Sequence, residues 1–160
     1  MTDAPVRPSA ARALDPGVAA AVAAGGFVGT LLRYGLGVAW PDNGGFPWTT
    51  LGINVAGSLA LGVLTGFWAL SGAAPAWVRA ALGPGLLGAF TTYSAVAVHL
   101  TSATGASAAG TPDAVQWWGY LAASLLAGLA AAAAGLWAGG GLARRRPSRR
   151  GRARRGGDTA

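Results

Sequence analysis

Residues 76–100 read AWVRAALGPGLLGAFTTYSAVAVHL. The stretch is long enough to cross a hydrocarbon core, which takes roughly 20 residues as a helix. Its middle does not suit a plain helix. Three glycines and a proline (Gly83, Pro84, Gly85, Gly88) come just before a polar cluster, Thr91-Thr92-Tyr93-Ser94. Proline removes a backbone donor and glycine loosens the helix. Carbonyls freed at membrane depth are tolerated only where they line a cavity or meet an ion. The expectation is a spanning helix broken near mid-membrane. Its freed carbonyl oxygens would suit a cation such as sodium, and its hydroxyl and amide N–H groups an anion.

Three further apolar stretches accompany it, at about 17–40, 48–71 and 115–138, separated by short connections rich in Gly, Pro, Ser and Asp. The fold class expected is therefore all-α integral membrane with four transmembrane helices. Residues 1–16 form an N-terminal tail, 17–138 the membrane domain and 139–160 a disordered Arg-rich tail. The first span is too long for a signal peptide and lacks a compact basic region before it. All seven tryptophans (Trp40, Trp48, Trp68, Trp77, Trp117, Trp118, Trp137) fall near expected water–lipid interfaces, where an amphipathic ring is most favourable.

Composition agrees. Hydrophobic residues make up 52% of the 160 residues and charged ones only 11%, against about 25% charge in a typical soluble domain. There is no cysteine, so neither a disulfide nor a thiolate metal site can form. A lone histidine (His99), no glutamate and five aspartates outside the apolar runs leave little for acid–base catalysis, and an enzyme is not expected. The net charge of +7 comes from twelve arginines, eight of them between Arg144 and Arg155. We read that run as a juxtamembrane segment held by anionic lipid, not as a nucleic-acid site. The N-tail (Arg7, Arg12), the second connection (Arg79) and the C-tail all fall on one side, while the other two connections carry Asp42 and Asp113 and no arginine. Both termini are thus expected to be cytoplasmic, in a cell membrane.

Inside the spans the polar residues are the informative ones, since each must face protein or water. Asn54 and Ser58, four apart, share one face of the second span; Tyr120 and Ser124 repeat that spacing on the fourth. Arg33 in the first span either snorkels to an interface or joins a buried polar network. GxxxG steps at Gly25/Gly29 and Gly62/Gly66 permit close helix approach.

Three motifs, one per span and in order, carry a family resemblance. Gly25-Gly26-x-x-Gly29-Thr30-x-x-Arg33-Tyr34 resembles GGxxGAxxRY. Thr50-Leu51-x-x-Asn54-x-x-Gly57-Ser58 resembles TLxxNxxGS. Gly85-x-x-Gly88-Ala89-Phe90-Thr91-Thr92-Tyr93-Ser94 resembles GxxGGLTTFS. Together they are similar to the Fluc (CrcB) fluoride channels, over about residues 17–138. The resemblance implies an antiparallel dual-topology dimer that lets fluoride leave the cytoplasm. It implies a structural, untransported sodium on the backbone carbonyls of Gly88 and Thr91. It also implies a fluoride pathway through Asn54, Ser58, Thr92, Tyr93, Ser94, Tyr120 and Ser124. The chain departs from the family at Val96, which replaces a second ring, at His99, where many members have glutamate, and at Gly128, which lacks a hydroxyl. The eleven-to-none arginine asymmetry favours a heterodimer with an oppositely oriented paralogue over a homodimer. A small multidrug exporter, also four-span, would need an intramembrane carboxylate that no span contains.

Overall fold

The structure is a computed structural model that describes residues 15–42, 46–72, 74–92 and 113–145. Among these residues every regular element is helical. Helix α1 spans Pro16–Ala39 and α2 spans Trp48–Ser71. A third helical run follows, composed of α3 (Ala76–Ala80), a π-helical stretch (Ala81–Leu87) and α4 (Gly88–Phe90). Helix α5 spans Asp113–Arg144. Three of them, α1, α2 and the Trp118–Arg144 part of α5, are long and apolar enough to cross a membrane. Residues 93–100, the second half of the expected third span, lie outside the described residues, as do Tyr93, Ser94, Val96 and His99.

Local chemistry sets the helix ends. Asp15 caps α1 by accepting from the Gly17 N–H at 2.9 Å, with Pro16 in the first turn where its missing donor does no harm. Gly72 closes α2 in the left-handed region (φ 58°), giving its N–H to Trp68 O at 3.1 Å. At Pro84 the chain widens into π geometry: the ring would collide with the carbonyl one turn back, and an enlarged turn accommodates it. The run then ends at Phe90, and Thr91 is extended (φ −76°, ψ 152°).

The helices pack through backbone, not through bulky side chains. A Cβ on Gly25 or Gly29 would fall on the carbonyl oxygens of Ala81 or Leu86, so α1 lies directly against the π-helical stretch. Gly62 and Gly66 of α2 meet the carbonyls of Ala132 and Leu136, and reciprocally Gly135 and Gly139 of α5 meet those of Leu59 and Val63. The two GxxxG faces interlock, which explains why α2 and α5 pair so extensively. In both pairs residue numbers rise together, so α1 runs parallel to the third run and α2 parallel to α5. The first turns of α1, the end of α2, Arg79 and Arg144 therefore gather at one end of the bundle, and Asp42 lies at the other.

Little of the interior is apolar bulk. Among the described residues, only Ile53, Leu87 and Tyr120 form a buried hydrophobic core, while Phe27, Leu31, Leu126, Leu129 and Trp137 stand exposed. A water-soluble domain would bury such residues; a helix bundle in lipid presents them outward. One boundary needs correcting. The last helix was expected to end at 138, with a disordered tail from 139, yet it continues to Arg144. Gly139 seats against the Val63 carbonyl and Gly140 within 3.5 Å of Leu70 from where the Cβ would be, so the helix is held to α2 through its glycines.

Candidate functional site

The site forms where the third run ends against α2. Asn54 holds the backbone of Thr92 at two points. Its Nδ2 donates to Thr92 O at 2.9 Å, and Thr92 N donates to its Oδ1 at 2.8 Å. The side-chain amide thus pairs with a peptide unit as another peptide would, in a half-buried position. The Thr92 N–H that would have continued the helix to the Gly88 carbonyl is given to Asn54 instead. The neighbouring carbonyls are also met: Leu87 O accepts from Thr91 N at 3.0 Å and from Thr91 Oγ1 at 2.9 Å. Ala89 O accepts from Arg33 Nε at 3.2 Å. A guanidinium at a helix C-terminus also complements the dipole there. This decides between the two readings of Arg33: its side chain joins the polar network of the third run. Gly57 makes the approach possible, because a Cβ there would strike the Thr91 methyl and come within 3.2 Å of the Phe90 ring.

Beside this clasp runs a groove of about 340 Å³, whose polar lining comprises Asn54, Ser58, Thr91, Thr92 and Ser124. Four residues singled out from sequence, Asn54, Ser58, Thr92 and Ser124, therefore meet on one surface. Gly128 lines it as well, and a Cβ there would sit 3.6 Å from Ser58 Oγ. The hydroxyl that α5 lacks at this level is supplied across the groove by α2. Tyr120 takes a different place from the others. It is 1% exposed, wedged edge-on to Phe46 with ring centroids 5.2 Å apart, and it does not line the groove. Gly88 lies exposed on the outer surface of the third run.

A second cavity, of about 530 Å³, lies between α1 and α2 and is lined by Thr30, Arg33, Tyr34, Asp42, Thr50 and Thr92 among others. Thr92 borders both spaces. Sequence reasoning used Asp42 only to orient the chain, and here it organises the start of α2. Pro47, the residue before the helix, has no side chain able to cap, and Asp42 reaches from the loop to do so. Its Oδ1 accepts from Thr49 N at 2.9 Å, and its Oδ2 from Thr50 N at 3.2 Å and Thr50 Oγ1 at 2.9 Å. Trp48 and Leu51 give their N–H groups to Phe46 O and Pro47 O, so all four leading donors of α2 are satisfied. Desolvation pushes the Asp42 carboxyl up, but the hydrogen bonds from Thr49 and Thr50 outweigh it and hold the group below its ordinary 3.8. The signal available in sequence was an acceptor shortly before Pro-Trp-Thr-Thr, where a helix start lacks its own cap.

A helical bundle with outward apolar faces and a hydroxyl- and amide-lined groove at an interrupted helix defines a polytopic membrane protein built to pass or hold a small polar solute. Comparison with known proteins narrows the class. Residues 20–136 match the family model described as CrcB-like protein, Camphor Resistance (CrcB), and the chain belongs to that family. It is 35% identical over 136 residues to a protein of Nocardia farcinica named fluoride-specific ion channel FluC 2, covering 82% of this chain and 94% of that one. It is 40% identical over 124 residues to FluC 1 of Streptomyces coelicolor, covering 76% of each. It is 37% identical over 119 residues to FluC of Hyphomonas neptunium, covering 72% of this chain and 90% of the relative.

Proposed function

We propose that this chain is a subunit of a fluoride channel that lets fluoride leave the cytoplasm passively and so lowers its toxicity. The observation that carries the reading is the convergence of Asn54, Ser58, Thr92 and Ser124 on one groove at the end of the third run. Fluoride is small and strongly hydrated, so a pathway must replace its water with closely spaced donors and no deep charge trap. Ser58 and Ser124 offer hydroxyl protons, and Asn54 carries a second amide hydrogen beyond the one given to Thr92. Thr91 is a poorer donor, its proton already directed to Leu87 O. In this reading Tyr93 and Ser94 continue the track, and Tyr120 shapes its end through Ser124.

The finer architecture belongs to the same proposal: four spans, a third helix interrupted at mid-membrane, cytoplasmic termini and an antiparallel pair of subunits. The parallel pairing of α1 with the third run and of α2 with α5 supports it, because consecutive crossings alternate in sense. A structural sodium would be held by the backbone carbonyls of Gly88 and Thr91. These groups suit a hard, singly charged cation. Gly88 is exposed, its helical donor is engaged by Asn54, and Thr91 turns its carbonyl out of the helical direction.

A second reading, a partner subunit of a heterodimeric channel, is favoured by one observation. Arg79, Arg144 and Arg145 are exposed and gather at the end opposite Asp42. A chain so polarised inserts one way, whereas an antiparallel dimer needs both orientations. A fluoride electrode recording efflux from liposomes tests both readings, with the chain alone and mixed with an oppositely charged-biased paralogue, and with chloride as the control ion. Rapid fluoride efflux from the chain alone supports the homodimer. Efflux only from the mixture supports the partner subunit. Efflux from neither refutes the channel.

A further inference from the structure

The cavity between α1 and α2 is not part of the groove, yet Thr92 lines both, so the two spaces adjoin at this residue and, in the channel reading, an ion passing Thr92 from the groove would emerge there. Among the described residues two charged side chains line its wall, Arg33 from α1 and Asp42 from the loop before α2, with the phenol of Tyr34 beside them. The two charges are not joined as an ion pair. Arg33 turns its Nε to Ala89 O, and Asp42 turns both oxygens to Thr49 and Thr50. Each therefore acts on the cavity separately, the guanidinium attracting anions and the carboxylate opposing them. We propose that Asp42 is a rate-setting charge at this mouth of the pathway, a fixed negative wall group that slows the arrival of fluoride at Thr92. The inference rests on the channel reading above and adds to it a residue specific to entry.

The geometry keeps this charge in place. Asp42 is half-buried and held by three hydrogen bonds from the first turn of α2, so it neither swings out into solvent nor leaves the wall. Those bonds hold the carboxyl below its ordinary 3.8, so it carries its charge at neutral pH. An anion crossing a cavity of this size passes within roughly 6–8 Å of the carboxylate. At that range a unit charge in water-like surroundings changes the local anion population about two- to threefold. A surface effect of this kind is screened by salt, with a Debye length of roughly 8 Å at 0.15 M and 3 Å at 1 M.

The test compares the wild-type chain with Asp42→Asn and Asp42→Ala in liposomes, reading fluoride efflux at low ionic strength and near 1 M of an impermeant salt. Asparagine removes the charge and keeps a side-chain acceptor for the helix start; alanine removes both. The expected result is an efflux about two- to threefold faster for both variants at low ionic strength, with the gap closing at high salt. This holds even though Asp42→Ala melts at a lower temperature. Wild-type-like efflux from Asp42→Asn at low ionic strength overturns the proposal, and so does a change that salt does not alter, which would mark Asp42 as purely structural. If neither wild type nor variants carry fluoride, alone or with a paralogue, the channel reading falls and this inference with it.

Discussion

Replacing Asn54 by leucine keeps the branched shape of the side chain and deletes both hydrogen bonds to Thr92. The bonds are short, 2.8 and 2.9 Å, and they bracket one backbone unit at the end of the third run. An ordinary hydrogen bond contributes about 1 kcal/mol net, and a buried group left without a partner costs about 1–3 kcal/mol. Polar pairs measured within membrane proteins average lower, near 0.6 kcal/mol, because the alternative states also find partners. Thr92 is only half-buried, so the two bonds together stabilise the clasp by about 2 kcal/mol. That shifts the ratio of clasped to open ends roughly 30-fold. Hydrogen exchange followed by mass spectrometry reads this directly. The peptide containing Thr91 and Thr92 should exchange about 30-fold faster in Asn54→Leu, with peptides of the α2–α5 interface unchanged, and fluoride efflux should fall in parallel. Asn54→Asp, which keeps the acceptor for the Thr92 N–H and loses the donor, should lie between. Unchanged exchange at Thr92 in the leucine variant would refute the clasp, and unchanged efflux alongside fast exchange would refute its place in the pathway.

Gly139→Leu should destabilise the bundle by at least about 2 kcal/mol, since its Cβ would land on the Val63 carbonyl and 2.8 Å from Phe67 N, backbone that cannot yield. Gly141→Ala, with nothing within 4 Å, should be neutral or slightly stabilising in the same thermal melts in detergent. Asp42→Ala should lower stability at neutral pH by at most about 1 kcal/mol. Because the folded carboxyl titrates below its unfolded value of 3.8, that contribution is present above pH 3.8 and is lost as the pH falls through the folded value. Melting curves of wild type and variant should therefore converge in acid, and a gap that persists there would count against the carboxylate as its source.

What could be read from the residues alone were properties that depend on near neighbours in the chain or on composition. Scarce charge and long apolar runs placed α1 at 17–40, against Pro16–Ala39 in the structure, and α2 at 48–71. The helical repeat put Asn54 and Ser58 on one face, and the proline with its glycines marked the third run as irregular. None of these needs to know which helix lies beside which. The rest depended on pairing. Whether Arg33 reached water or protein was settled by the Ala89 carbonyl, which lies 56 residues away. Asn54, read as a lining residue, lines the groove and is also a clasp, because the chain brings Thr92 opposite it. Gly62 and Gly66 were one of two GxxxG steps until Gly135 and Gly139 met them. Gly139 and Gly140, poor helix formers by themselves, stay helical because α2 covers them. Asp42 is a loop aspartate in sequence and a helix cap in space. Intrinsic propensity and hydropathy act over a few residues, whereas a backbone carbonyl at a helix end takes whichever donor tertiary packing delivers.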